Sequence, residues 1–123
     1  MSNIKLVVFD MDGTLLQPRS CWAYIHEHFG TDNTEMLNKY IQNKITDQEF
    51  VKADVKLWEM SSDKIVNEKY INTILDEIKP VDGAEELIVG LHSKGIETIF
   101  LTGGITFLAD KWAKKWNMKK PLA

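Results

Sequence analysis

Two aspartates one residue apart, Asp10 and Asp12, close the apolar run in "VVFDMDGTLL", Val7 to Leu16. On a straight strand residues at that spacing point the same way, and like charges so close either raise one pKa or demand a cation. Gly13 follows at once and lets the backbone turn sharply. The pattern suits a hard divalent ion, Mg²⁺, which takes carboxylate, carbonyl and water oxygens and bridges to phosphate. A second cluster closes "IETIFLTGG", where the Thr102 hydroxyl and the N–H groups of Gly103 and Gly104 precede a helix and form an anion site. A carboxylate nucleophile facing an anion cradle points to phosphoryl transfer through an aspartyl-phosphate.

Both clusters need strands to carry them. Ile4 to Phe9 is apolar apart from Lys5, rich in Val and Ile, and bounded by "DMDG", which predicts a strand buried on both faces, as in a parallel sheet. "IETIF" predicts a second. If the two are parallel neighbours, their carboxyl ends lie side by side, where open α/β sheets bind ligands.

Between them, from Ser20 to Lys79, no proline occurs and the signal is helical. Thr46 with Glu49 makes a capping box ahead of Phe50, Val51, Val55 and Trp58. "SSDK" precedes an apolar stripe of Ile65, Val66, Tyr70, Ile74, Leu75 and Ile78, so three or four amphipathic helices are expected. Pro80 ends this block. Asp82 then reads as an N-cap with Glu85 three residues on, and Gly95 as the stop of that helix. A last helix, about Ile105 to Asn117, places Phe107, Leu108, Trp112 and Trp116 toward the core. The order of strand, helical insert, helix, strand, helix is α/β, a right-handed parallel unit of the doubly wound class. Its Rossmann-like sheet is incomplete: two parallel strands leave apolar edges unpaired. The expected divisions are a core of residues 1–16 and 80–123 and a helical cap of 17–79.

Composition sets the outer limits. The 123 residues are 44% hydrophobic and 27% charged, as in an ordinary globular domain or part of a larger one. A formal charge of −3 gives no argument for nucleic acid, and no apolar run approaches the roughly 20 residues that span a bilayer. The N-terminus does not read as a signal peptide, and a single cysteine, Cys21, fits a reducing cytoplasm.

"DMDGTL" resembles motif I of the haloacid dehalogenase superfamily, and "IFLTGG" resembles its motif II. The helical insert is similar to the α-helical cap that the phosphoserine-phosphatase-like branch carries after motif I. Position by position, the resemblance implies Asp10 as nucleophile and Asp12 as acid for the leaving group, then base for water. It implies Mg²⁺ on the Asp10 carboxylate and the Asp12 carbonyl, with Thr102 and the Gly103 amide on the phosphoryl oxygens. The implied activity is phosphatase action on a small phosphorylated metabolite.

The resemblance stops short in two places. The family's motif III lysine and motif IV acidic residues have no counterpart: after Gly104 the only acidic residue is Asp110, and the lysines from Lys111 to Lys120 fall in one helix and tail. The chain therefore reads as a front half, its activity impaired. The alternative is a non-catalytic fragment or subunit that forms a homodimer or pairs with a complementary chain. The family's amino-acid clamp is also altered. Arg19 and Ser20 stand near the place of its glutamate, and Asp54 falls where its cap arginine would be. Arg19, the only arginine, could grip a substrate anion or lie solvated in a loop. Trp22 and Trp58 could line an apolar substrate pocket or fill the core of the cap. His26, His28 and His92 read as surface or helix-face residues, and Cys21 as a small buried thiol.

Overall fold

A computed structural model describes residues 3–123. Strand β1 (Leu6–Phe9) pairs in parallel with a second strand, Glu97–Phe100, with Val8 opposite Ile99 and Phe9 opposite Phe100. The elements run β1, α1 (Cys21–Phe29), α2 (Thr34–Ile41), α3 (Asp47–Ser61), α4 (Glu68–Leu75), α5 (Ala84–Ser93), β2 (Glu97–Phe100) and α6 (Thr106–Lys115). This is the mixed α/β arrangement that the alternation of motifs implies, with a parallel crossover between the strands.

The chain divides into two compact units. One holds the residues up to Trp22 together with Glu77–Ala123, the other Ala23–Asp76. In the first, α5 and α6 both pack on β2. Ile88 and Ala84 on α5, and Leu108, Ala109, Trp112 and Ala113 on α6, are buried, as are Thr98, Ile99 and Phe100 on the strand itself. The apolar spacing of α6 is thus used as the pattern requires, with the Trp112 and Trp116 rings 4.8 Å apart.

β2 is covered on its far edge too. The Lys119 and Leu122 amides donate to the Thr98 and Phe100 carbonyls, and the Thr102 amide donates to Leu122. The tail therefore runs parallel beside β2, and the pairing of Leu101 with Leu122 is the start of a third strand position. Sequence gives no warning of this, because "NMKKPLA" lacks the β-branched run that marks a strand. β1 is the less protected member: Leu6 and Val8 are exposed, and among the described residues nothing pairs with its outer edge.

Three local expectations change. The strand predicted from Ile4 begins at Leu6. Asp82 does not cap α5; the cap position is Gly83, at φ +86°, a left-handed conformation open to glycine. The helix predicted after "SSDK" starts later, at Glu68, with the Asn67 side chain accepting from the Tyr70 amide, and Ile65 is 83% exposed rather than on an apolar stripe.

The second unit is helical. The Thr46 hydroxyl accepts from the Glu49 amide and the Glu49 carboxylate accepts from the Thr46 amide, the complete capping box of α3. Trp58, Ile71, Ile74 and Leu75 are buried there. Phe29 stacks with both Trp58 and Tyr70, and Tyr40 of α2 stacks on Phe50 of α3 at 4.9 Å.

Candidate active site

The parallel register brings the carboxyl end of β1 beside that of β2, so the loops "DMDGT" and "TGG" leave the sheet as neighbours. After Phe9 the chain folds onto itself. The amides of Thr14, Leu15 and Leu16 all donate to the Met11 carbonyl, and the Gly13 amide donates to Leu16. Gly13 sits at φ +73°, and a Cβ there would come 3.3 Å from the Arg19 Cα, so the turn needs glycine on both counts. The Gln17 amide donates to Lys79 and the Val81 amide to Leu15, which anchors the turn at its other end.

Asp10 is exposed, and the Thr14 hydroxyl donates to its Oδ2 at 3.1 Å. That fixes one oxygen of an exposed carboxylate. Asp12 is more enclosed, and its Oδ2 accepts the Cys21 amide at 3.0 Å. Burial pushes its carboxyl above the ordinary range, with the nearby Asp10 charge adding to the effect and the Cys21 hydrogen bond opposing it. A carboxyl so placed holds a proton more readily than an ordinary aspartic acid.

On the other loop Thr102 is buried and its Oγ1 accepts the Gly104 amide at 2.9 Å. With that lone pair engaged, the hydroxyl proton is left to donate. Gly103 is exposed, with open space where a side chain would be.

Gly104 is where the loops meet. A Cβ there would stand 3.1 Å from Asp12 Oδ2, 3.1 Å from Thr102 Oγ1 and 2.9 Å from Met11 Cε. The structure therefore brings Asp12 and Thr102 together around one residue that has no room for a side chain, although they are 90 positions apart. Thr14 and the Cys21 amide are contributors that residue types did not announce. The Cys21 contact is a backbone one, which no side-chain pattern can encode. Cys21 itself is fully buried, as expected, and burial beside Asp12 pushes its thiol up to about 12.

The remaining candidates are placed differently. Arg19 is exposed on the loop before α1. Trp22 is partly exposed, and its indole N–H donates to the Gly103 carbonyl at 3.2 Å. Trp58 lies in the helical unit at 2% exposure, its N–H donated to His26 Nδ1 at 3.1 Å. His26 is not at the surface: it is buried, stands 3.0 Å from Asp54 through Nε2 without a well-directed hydrogen bond, and meets the Thr31 hydroxyl through Nδ1. Asp54 is buried as well and accepts from Asn33, so its charge is engaged within the helical unit. His92 pairs with the buried Thr98 hydroxyl at 2.7 Å, away from the carboxyl ends of the strands.

Residues 4–120 match the family of haloacid dehalogenase-like hydrolases. The chain belongs to that family. Solved structures agree on the fold. A substrate-bound phosphoserine phosphatase complex superposes at TM-score 0.70 with 20% identity, over 98% of this chain and 56% of that one. A haloacid dehalogenase family hydrolase from Salmonella enterica serovar Typhi gives 0.74 at 15% identity, over 95% and 39%. A phosphoserine phosphohydrolase-like protein from Francisella tularensis gives 0.64 at 18%, over 98% and 57%. The chain thus spans little more than half the length of the phosphoserine phosphatase it matches. Among curated proteins no significant sequence match was found.

The described residues contain no helix long and apolar enough to cross a membrane. They also contain no group of three or more His, Cys, Asp or Glu able to hold a metal. The donors on the β1 loop are nonetheless of the right kind for Mg²⁺: hard oxygens from a carboxylate and the turn's carbonyls, to be completed by water and phosphate.

Proposed function

We propose that the chain carries the nucleophile and phosphate-binding half of a Mg²⁺-dependent phosphatase acting on a small phosphomonoester. The observation that supports this most is the convergence of Asp12 Oδ2 and Thr102 Oγ1 on Gly104, each 3.1 Å from where its Cβ would be. One group is suited to move a proton and the other to bind an anion.

Asp10, steadied at Oδ2 by Thr14, presents its free oxygen to phosphorus, forming the Asp10–phosphoryl bond as the ester oxygen departs. Asp12, its carboxyl raised by burial, gives its proton to that oxygen, then accepts one from the water that cleaves the aspartyl-phosphate. The Thr102 hydroxyl and the Gly103 amide hold the equatorial oxygens. Asp10 and the Asp12 carbonyl would hold Mg²⁺, which when bound offsets the charge gathered between two carboxylates and a phosphate. Arg19, exposed at the rim, is the cation on this loop available to an anionic substrate group.

Hydrolysis of an aryl phosphate in the presence of Mg²⁺ tests the reading. Weak turnover is expected for the protein, as befits half of the machinery, and a further loss of at least about a hundredfold for Asp10→Asn; equal turnover in the two refutes the mechanism.

A second reading rests on a separate observation. Ile4, Leu6, Val8 and Leu101 are 59%, 45%, 52% and 57% exposed, and β1 has an open outer edge among the described residues. Such an edge invites another strand, from a second copy or a complementary chain.

A further inference from the structure

Two consecutive residues at the start of α1, Cys21 and Trp22, make three hydrogen bonds to the two strand-end loops. The Cys21 amide donates to Asp12 Oδ2 at 3.0 Å. The Cys21 sulfur, in the opposite direction, accepts the Ile105 amide at 3.3 Å. The Trp22 indole donates to the Gly103 carbonyl at 3.2 Å.

We infer that Cys21 and Trp22 are positioning residues, a clamp that holds the Thr102–Ile105 loop in its anion-binding conformation against Asp12.

The argument is geometric. In a trans peptide the carbonyl and the next amide point in opposite directions. Fixing the Gly103 carbonyl on Trp22 therefore aims the Gly104 amide the other way, and there it meets Thr102 Oγ1 at 2.9 Å. That contact in turn leaves the Thr102 hydroxyl proton free to donate. One residue further on, the Ile105 amide precedes α6 and has no acceptor within that helix; the buried sulfur supplies one. A flexible "TGG" loop would otherwise sample many backbone conformations, and glycine loses the most freedom when ordered. Trp22 acts through the Gly103 carbonyl, and Cys21 through the Asp12 carboxylate and the Ile105 amide. Cys21 is fully buried with its thiol held protonated, so its part is acceptance of a hydrogen bond rather than nucleophilic attack.

The clamp's purpose rests on the phosphatase reading, but its existence does not, and the test separates them. Amide hydrogen exchange in the ¹⁵N-labelled chain is compared for the wild type, Trp22→Phe, Cys21→Ala and Cys21→Ser. Trp22→Phe keeps the ring and removes the donor; exchange at Gly104 should quicken by about tenfold. Cys21→Ala should do the same at Ile105, and Cys21→Ser, which restores an acceptor, should not. Leu101, whose amide donates to the Phe9 carbonyl in the β-ladder, should keep its wild-type rate throughout. Unchanged exchange at Gly104 and Ile105, or an equal rise at Leu101, overturns the clamp. If Cys21→Ala does not fold, Trp22→Phe and Cys21→Ser decide the matter by the same criteria. Titration with inorganic phosphate is the second readout. Trp22→Phe should weaken binding by about fivefold, with Cys21→Ser near wild type. A wild type that binds no phosphate counts against the phosphatase reading, while exchange at Gly104 and Ile105 still decides the clamp.

Discussion

At the residue scale the site depends on two carboxylates given different surroundings. Asp10 is exposed and held by a hydroxyl, whereas Asp12 is enclosed, and burial outweighs its one amide hydrogen bond. The consequence for stability has a definite sign. A carboxyl whose pKa is raised on folding binds its proton more tightly in the native state, so its contribution is fully present below its unfolded value of 3.8 and is lost as pH rises through the folded one. Asp12→Asn is isosteric, still accepts the Cys21 amide and cannot ionise. It should raise Tm at pH 7 and lose that advantage toward pH 3.5, while turnover falls. Thermal melts across that range check it; a Tm lowered at pH 7 would show that the charge is stabilised rather than strained.

Much of this residue-level placement was legible, because motif types are local. Asp10, Asp12, Thr102 and Gly103 announce themselves through position at the ends of apolar runs. Thr14 on Asp10 and the Cys21 amide on Asp12 did not, since one is a turn contact and the other carries no side-chain information. The burial of His26 was hidden for a related reason. A polar residue looks exposed unless its partners are known, and Asp54 and Trp58 are distant in sequence.

At the scale of elements, periodicity and caps succeeded where their physics is short-range. The Thr46–Glu49 box is complete, and the spacing of Leu108, Trp112 and Trp116 is that of a buried face. Asp82 failed as a cap because Gly83, free to adopt φ +86°, takes the cap position. The "SSDK" start failed because Asn67 offers a better-placed acceptor nearer the apolar stripe. The strand position of the tail was not visible at all, since it depends on the free carbonyls of β2 rather than on the propensity of Lys119–Leu122. Removing the cap of α3 gives a clean check on this scale. Thr46→Ala should cost about 1 kcal/mol in urea unfolding and leave turnover unchanged. A cost near zero would mean that α3 is held by packing alone.

At the scale of the whole molecule, the two strand-end loops stand on a sheet whose centre is β2, flanked by β1 and the tail. β2 is buried along most of its length, while β1 exposes Leu6 and Val8. Apolar strands with an unpaired edge associate, so light scattering coupled to size exclusion should find a concentration-dependent mass above the 14.1 kDa of one chain. Leu6→Lys with Val8→Lys should shift the population toward the monomer; a monomer at every concentration would remove the second functional reading.

The central claim, that Asp10 is the phosphoryl acceptor, has a direct measurement. The protein is mixed with an aryl phosphate and Mg²⁺, quenched in acid, and its peptides are weighed. A phosphoryl group on the peptide bearing Asp10, removed by hydroxylamine and absent from Asp10→Asn, is the predicted result. A phosphoryl group on another residue, or one that persists in Asp10→Asn, would contradict it.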